Sequence, residues 1–380
     1  LGATIMCKLF GNPTSFSGPD WYSTGMEDIV KTGGQALHQP LLNHPALLPN
    51  RSQKVEQITI DERIVGPRNV KNPSQYRRFA EEFVELSVPT AHKGVPLDLI
   101  EVMENQQKPM QKLKHKRLGP WLVKPDYVEV TPDGRVPVTL NIQAFQKVEP
   151  YANPKAARNI SVTPPQHQYH LSTFTLAMKQ ALKEHAWFIP SMVPKEVQFT
   201  VEKMRHHPHL ICRDFSSFDA TVSRWLYMRV VRAMAARWVH PNYYQDLIGA
   251  LDAEQDAIGY TQHGLSYPIG SSRVTGSPDT SDHNTIINAF ASYCVFRRIG
   301  YSKLKAFTSL GMYYGDDCID YFPLEHLELH DTVMKELGLK AKTEVVYPDR
   351  PTPFLGRYFV EQGSFCDPDR NIAKLHLSAS

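Results

Sequence analysis

Gly311-Met312-Tyr313-Tyr314-Gly315-Asp316-Asp317-Cys318-Ile319-Asp320-Tyr321 sets a Gly-Asp-Asp tripeptide between two apolar and aromatic flanks. Such flanks around a Gly-Asp core predict two short strands joined by a tight turn. Adjacent carboxylates at that turn repel each other, and strands that reach the core partly desolvate them. A cation relieves the repulsion, and side-chain oxygens on a fixed turn suit Mg²⁺. Asp and Gly are also the commonest residues of ordinary polar turns. A functional reading therefore needs a third carboxylate, a group that reads a ribose and a clamp for phosphates.

The third carboxylate stands upstream. Leu210-Ile211-Cys212-Arg213-Asp214-Phe215 begins as a buried strand with Asp214 near its end, and Ser216-Ser217-Phe218-Asp219 brings Asp219 to the start of a helix. That helix carries Val222, Leu226, Val230, Ala233 and Met234 on one face. An N-cap role accounts for Asp219 but leaves Asp214 without a purpose. Between the two acidic stretches, Gly270–Thr280 is a loop feeding a second helix. Ser277 is its expected N-cap, Pro278 its first position, and Asp279 lies at the positive end of the dipole. The helix is predicted to run to Arg297-Arg298, with Gly300 as its stop. Thr280 and Asn284, four apart, project from one face, while Ile286, Ile287, Phe290 and Cys294 supply the packing face. The spacing of a P-loop is absent.

Lys147-Val148-Glu149-Pro150 and Lys155-Ala156-Ala157-Arg158-Asn159-Ile160 gather cations, one of them an Arg suited to bidentate phosphate contacts. Salt-bridged surface loops look the same. A basic cluster, Lys108, Lys112, Lys114, His115, Lys116 and Arg117, is either a solvated helix face or the phosphate-tracking edge of a nucleic-acid channel.

Elsewhere, residues 1–75 read as an irregular, surface-hugging extension. Helices are expected over 75–106, 171–187 and 326–338, strands over 127–149, a polar insertion over 240–268 and a hydrophobic hairpin arm at Phe354–Val360. The length, 380 residues, suggests two or three subdomains. Lys+Arg 42 against Asp+Glu 39 gives a net charge of +3, which argues neither for nor against nucleic acid. Cys7, Cys212, Cys294, Cys318 and Cys366 lack CxxC spacing, a pattern that suits a reducing compartment and offers no structural zinc site. An extended segment does not readily converge His206, His207, His209 and Cys212 on a metal. No apolar run approaches the ~20 residues of a membrane span, and no signal peptide is visible. The chain opens on Leu1, as a segment of a longer protein would.

In order and spacing these segments resemble the RNA-dependent RNA polymerases of positive-strand RNA viruses, the nodavirus and noda-like replicases above all. Lys147-x-Glu149 with Lys155-x-x-Arg158-x-Ile160 matches motif F, and Asp214-x4-Asp219 matches motif A. Thr275-Gly276-x3-Thr280-x3-Asn284-Thr285 matches motif B, where many members carry Ser in place of Thr275. Gly315-Asp316-Asp317 matches motif C, Lys342 motif D, and Phe354-Leu355-x-Arg357 motif E.

The resemblance covers residues 100–380 and implies an α+β, right-handed polymerase. Its parts would be an N-terminal extension over 1–95, fingers over 96–205 with motif F at 147–160, and an antiparallel-sheet palm over 206–360. A fingers insertion would occupy 240–268, and 361–380 would begin a truncated thumb, which implies weak, distributive or absent synthesis by this chain alone, improved by C-terminal extension. Asp214, Asp316 and Asp317 would hold two Mg²⁺ ions, with Mn²⁺ as a substitute, for two-metal nucleotidyl transfer. Lys342 would protonate the leaving group, with Lys340 able to stand in. Lys147, Lys155 and Arg158 would neutralise incoming phosphates. Asp219, Thr275, Gly276, Thr280 and Asn284 would bind the nucleotide, Asp219 and Asn284 at its ribose. The implied partners are RNA template and product and NTPs, and homo-oligomers are compatible with the family. The implied setting is a membrane-associated replication complex in the host cytoplasm, with the membrane contact supplied by parts outside this chain.

Two other readings stand beside this one. A reverse transcriptase shares the palm and an x-x-Asp-Asp turn, but usually has a bulky aromatic where Asp219 stands. A non-catalytic RNA-binding module accounts for the basic cluster and the aromatics but not for carboxylates at the centre.

Overall fold

The computed structural model describes residues 6–7, 22–23, 34–106, 109–119, 124–132 and 134–378. The Gly-Asp-Asp stretch is a hairpin: strands Met312–Tyr314 and Asp317–Asp320 pair antiparallel across the two-residue loop Gly315-Asp316. Gly315 takes φ +60°, the left-handed conformation a type II′ hairpin loop needs at its first position. Strand Asp317–Asp320 continues sideways onto Leu210–Phe215, which receives Ala341–Val346 on its far edge. The result is a four-stranded, wholly antiparallel sheet.

Successive side chains of a strand point to opposite faces, and this sheet uses both. Leu210 and Cys212 join Val197, Val201, Met312, Ile319, Val346, Phe354 and Phe359 on one side. Ile211 and Phe215 face the larger core. That core is organised around Phe83, whose ring centroid lies 5.8, 5.7, 5.6 and 6.0 Å from those of Trp187, Phe290, Tyr293 and Phe307. The helix Thr280–Ile299 runs through it, with every side chain from Asp282 to Phe296 buried. A helix so fully enclosed belongs to the interior, and Gly300 ends it as expected.

A second, five-stranded sheet runs in the order Met6–Cys7, Leu265–Pro268, Ile258–Thr261, Asn141–Gln146, Asn159–Val162. Residues 240–268 thus contribute two strands to it, after the helix Tyr244–Ala253. Strand Leu377–Ser378 pairs with Gln35–Ala36, and the Ala46 amide donates to the Ala373 carbonyl at 2.9 Å. Among the described residues no helix is long and apolar enough to cross a membrane.

Several expectations are corrected. Residues 53–65, read as irregular, form the helix Gln53–Ile60 and a wider-wound turn through Val65, with Ile60 and Ile64 in the main core. Its apolar pattern is masked because two of the buried positions are Glu56 and Thr59, and Glu56 binds His263 Nδ1 at 2.8 Å. The helix expected over 171–187 is Pro165–Leu182. Trp187 and Ile189 instead run beside Tyr313, exchanging backbone hydrogen bonds of 3.1 and 3.2 Å that cover the edge of the four-stranded sheet. The helix Pro194–Met204 was not anticipated. The helix after Asp219 is broken into Phe218–Thr221, Arg224–Leu226, a wider turn Tyr227–Val231, and Arg232–Trp238.

Candidate active site

Asp316, Asp317, Asp219, Thr275, Gly276, Thr280, Asn284, Lys155 and Arg158 line one cleft of about 1650 Å³. Asp214, Lys147 and Lys342 are not on its wall. Asp214 is exposed at the end of its strand. One step beyond the paired residues Cys318 and Arg213, the two strands reach Asp317 and Asp214. On the other side Asp214 pairs directly with Lys342, and cross-strand partners share a face. Lys340 is also exposed, and its carbonyl accepts from Ser216 N at 3.0 Å.

The carboxylates act on one another. Desolvation pushes Asp317 up to about 7, and the charges of Asp316 and Asp214 add to the rise. Asp316 is raised first by desolvation, with Asp214 adding, while a backbone hydrogen bond and Arg158 oppose. Asp219 is raised by burial and by Asp316, against the Asn284 hydrogen bond, Arg273 and Arg158. Accumulated, mutually repelling oxygens are what a divalent cation relieves. Among the described residues no three His, Cys, Asp or Glu side chains converge tightly enough to form a finished metal cage. Asp214, Asp316 and Asp317 offer carboxylate oxygens alone, the donor chemistry that a hard divalent cation would take, with water and substrate phosphate as its further ligands.

Asp219 is not an N-cap. Ser217, at φ +53°, precedes the short helix, and no side chain caps it. Asp219 Oδ1 instead accepts from Asn284 Nδ2 at 2.6 Å, and its carbonyl accepts from Arg273 N at 2.8 Å. The expected N-cap at Ser277 and helix start at Pro278 are also corrected, since the helix begins at Thr280. The reason is a buried charge cluster. Arg273 pairs with Asp279 and, at 3.4 Å, with Glu254, while the Ser277 hydroxyl bonds Glu254 and Asp279 at 2.7 Å each. Those bonds hold residues 273–279 as a loop.

Thr275, Gly276 and Thr280 line the cleft, but their polar groups build the loop. Thr275 Oγ1 accepts from Ser161 N at 2.8 Å and donates to Asn159 O at 3.3 Å. Gly276 N donates to Ser161 O at 2.8 Å, and a Cβ on Gly276 would stand 2.4 Å from that oxygen. Thr280 Oγ1 donates to Val274 O at 2.6 Å. On the cationic side, Glu149 holds Lys147 at 2.9 Å and lies 3.9 Å from Arg158 Nε. Arg63, which the sequence did not mark, pins this loop with two bonds to Ala156 O at 3.0 and 2.9 Å. Lys155 and Arg158 remain exposed along the cleft.

Other candidates lie elsewhere. Lys112, Lys114, Lys116 and Arg117 are exposed on the helix Pro109–Leu118, away from the cleft wall, and Lys108 lies outside the described residues. His207 stacks on Tyr321 at 4.1 Å and His209 Nε2 bonds Phe322 O at 2.9 Å. Behind the turn, sequence reasoning missed Asn288 and named Thr285 only as part of a motif. Asn288 Nδ2 donates to Gly315 O and Asp317 O at 3.1 and 3.2 Å, and Thr285 Oγ1 accepts from Gly315 N at 2.8 Å. The available signal was Asn288 itself, an amide one turn beyond Asn284 within an apolar run.

Compared with known proteins, residues 69–375 match the sequence profile of the family described as viral RNA-dependent RNA polymerase. The RNA-directed RNA polymerase of Pariacoto virus is 33% identical over 364 residues, covering 92% of this chain and 36% of that protein. That of Striped jack nervous necrosis virus is 32% identical over 349 residues, covering 89% and 34%. This chain therefore spans about a third of the length of these relatives. Among solved structures, an insertion-loop deletion mutant of the RNA-dependent RNA polymerase of a human picobirnavirus superposes with a TM-score of 0.63 at 12% identity. That match covers 88% of this chain and 69% of the other, and it shows a shared fold.

Proposed function

Because this chain belongs to the viral RNA-dependent RNA polymerase family, we propose that it performs template-directed RNA synthesis from NTPs. The observation that carries the reading is the meeting, in one cleft, of Asp316 and Asp317, the Asp219–Asn284 pair, and Lys155 with Arg158. Phosphoryl transfer asks a protein mainly for positioning and charge neutralisation, and each group has a part in that. Lys155 and Arg158 receive the triphosphate, with Lys147 held nearby by Glu149. Asp219 accepts a hydrogen bond from the ribose 2′-hydroxyl while Asn284 orients the carboxylate. Asp214, Asp316 and Asp317 would hold two divalent cations, Mg²⁺ with Mn²⁺ as a substitute. When bound, these supply activation of the 3′-hydroxyl and neutralisation of the leaving pyrophosphate. Lys342, the strand partner of Asp214, is assigned as proton donor to the leaving group.

The test is NTP incorporation on a homopolymer template, with cation and with chelator. Incorporation of the complementary ribonucleotide alone, lost with chelator, is the expected result. A preference for dNTPs would indicate a reverse transcriptase, and RNA binding without incorporation a non-catalytic module. Self-association and work at membrane-associated replication complexes in the host cytoplasm are proposed on family grounds. Co-sedimentation of a full-length replicase with membranes tests the latter, and recovery only in the soluble fraction would count against it.

A further inference from the structure

Behind the Asp-Asp turn, one side chain joins the two strands that carry the carboxylates. Asn288 is fully buried, and its Nδ2 donates to the carbonyls of Gly315 and Asp317 at 3.1 and 3.2 Å. A side-chain amide has two N–H donors, so both are spent on the turn. Its Oδ1 accepts from Arg213 at 2.7 Å, and Arg213 immediately precedes Asp214. Arg213 is locked in turn by the Ser292 hydroxyl at 2.6 Å, Asp320 at 3.3 Å and His330 Nε2 at 3.2 Å. Thr285, from the same helix, accepts from Gly315 N at 2.8 Å. Neither Asn288 nor Arg213 lines the cleft, so neither touches substrate.

We propose that Asn288 is a positioning residue that sets the Asp316–Asp317 turn against Asp214, and with it the spacing of the oxygens that hold cations. The proposal rests on the polymerase reading above. Without the Asn288 donors, the buried Gly315 carbonyl and the part-buried Asp317 carbonyl each lose a hydrogen bond, and the turn relaxes towards other partners. Groups that orient metal ligands typically matter by about 10–100-fold in affinity or activity.

Asn288→Asp tests this, since it keeps the side-chain shape and the Arg213 acceptor but removes both turn donors. Thr285→Val, which changes no charge, removes only the acceptor of Gly315 N. Ser292→Ala, on the same helix as Asn288, is the control: it removes one hydrogen-bond partner from each of the strand residues Arg213 and Asp320 and none from the turn. Mn²⁺ binding is read by titration calorimetry, alongside kcat and KM for NTP and thermal unfolding in chelator. Asn288→Asp and Thr285→Val should bind Mn²⁺ about tenfold or more weakly, with kcat falling and KM unchanged. Ser292→Ala should lower the melting temperature with Mn²⁺ affinity intact. If Asn288→Asp does not fold, Thr285→Val carries the test alone. Wild-type affinity in a folded turn variant, or an equal loss in Ser292→Ala, overturns the inference. A wild-type chain that neither binds Mn²⁺ nor incorporates NTPs removes the polymerase reading beneath it, a result distinct from failure in the variants.

Discussion

The side-chain amide of Asn284 donates to Asp219 Oδ1 across 2.6 Å, tying the long buried helix to the short helix Phe218–Thr221 that follows the Asp214 strand. Asn284 Oδ1 is buried with no partner among the described residues, and a ribose 2′-hydroxyl is a group that would satisfy such an acceptor. A 2′-deoxynucleotide leaves these groups unpaired, which is how a polar site rejects an analogue lacking a hydroxyl. Wild type should prefer NTPs over dNTPs by on the order of 10²-fold or more. Asn284→Ala and Asp219→Ala should narrow that ratio by slowing NTP incorporation. Single-nucleotide incorporation with both sugars measures it, and an unchanged ratio in both variants would remove the ribose-reader assignment.

On the proposed two-cation reading, Asp214→Ala or Asp316→Ala should abolish incorporation with the fold intact, because each would remove a cation ligand worth several kcal/mol, to order of magnitude, in the transition state. Asp317→Asn should be milder and shift preference from Mg²⁺ towards Mn²⁺. Incorporation rates beside circular dichroism check this, and near-wild-type rates in Asp214→Ala would sink the two-cation assignment.

The raised pKa of Asp317 predicts a pH effect with a definite sign. Between the usual 3.8 and about 7, the folded metal-free chain holds a proton that the unfolded chain releases. This contribution is fully present at low pH and is lost as pH rises through about 7; partial exposure of the group reduces its size. In chelator, wild type should lose melting temperature relative to Asp317→Asn between about pH 5 and about pH 8. Mn²⁺ should restore most at the upper end. Parallel pH profiles for the two proteins would rule out Asp317 as the source.

Gly276→Ala should destabilise the chain by about 1–3 kcal/mol. The new Cβ would stand 2.4 Å from the Ser161 carbonyl, a backbone atom that cannot swing aside. Chemical denaturation gives the loss, and KM for NTP should rise with it, since Ser161 lies three residues from Arg158. A protein of wild-type stability and KM would mean that the loop has room to move.

Arg213→Met should cost about 3–5 kcal/mol, because it strands the buried Asp320 carboxylate without its cation. Urea unfolding measures this. A loss below about 1 kcal/mol would show that Ser292, Tyr313 and the Gly311 amide satisfy Asp320 without Arg213.

The Gly-Asp-Asp hairpin and the Asp214 strand were legible in the sequence because their determinants are local. Gly315 marks a loop that needs a positive φ, and the continuous apolar start Leu210-Ile211-Cys212 marks a strand buried on both faces. Asn284 was legible because four-residue spacing sets it on the face of Thr280. The start of its helix was not. Ser277, Pro278 and Asp279 look like an N-terminus, and only Arg273 and the distant Glu254 turn them into a buried loop. Glu56 and Thr59 hid the helix Gln53–Ile60 in the same way, since a buried polar residue with a remote partner reads as surface. Asn288 was harder to read for the complementary reason: it stands as one amide among Ile286, Ile287, Ala289 and Phe290 until the backbone it serves is seen.

Gly276 has a wider consequence. With no side chain between them, the strand Asn159–Val162 and the loop before the long helix lie backbone to backbone. Hydrogen bonds then run from Ser161 through Thr275 and Gly276, on by Val274 to Thr280, and across to Asp219 by way of Arg273 and Asn284. On the proposed reading, Arg158 at the phosphates and Asp219 at the sugar would then be joined through one hydrogen-bonded backbone frame. Such a frame would work as a caliper, gauging the span between a nucleotide's phosphates and its 2′-carbon, so that a fault at either end would be felt at the other.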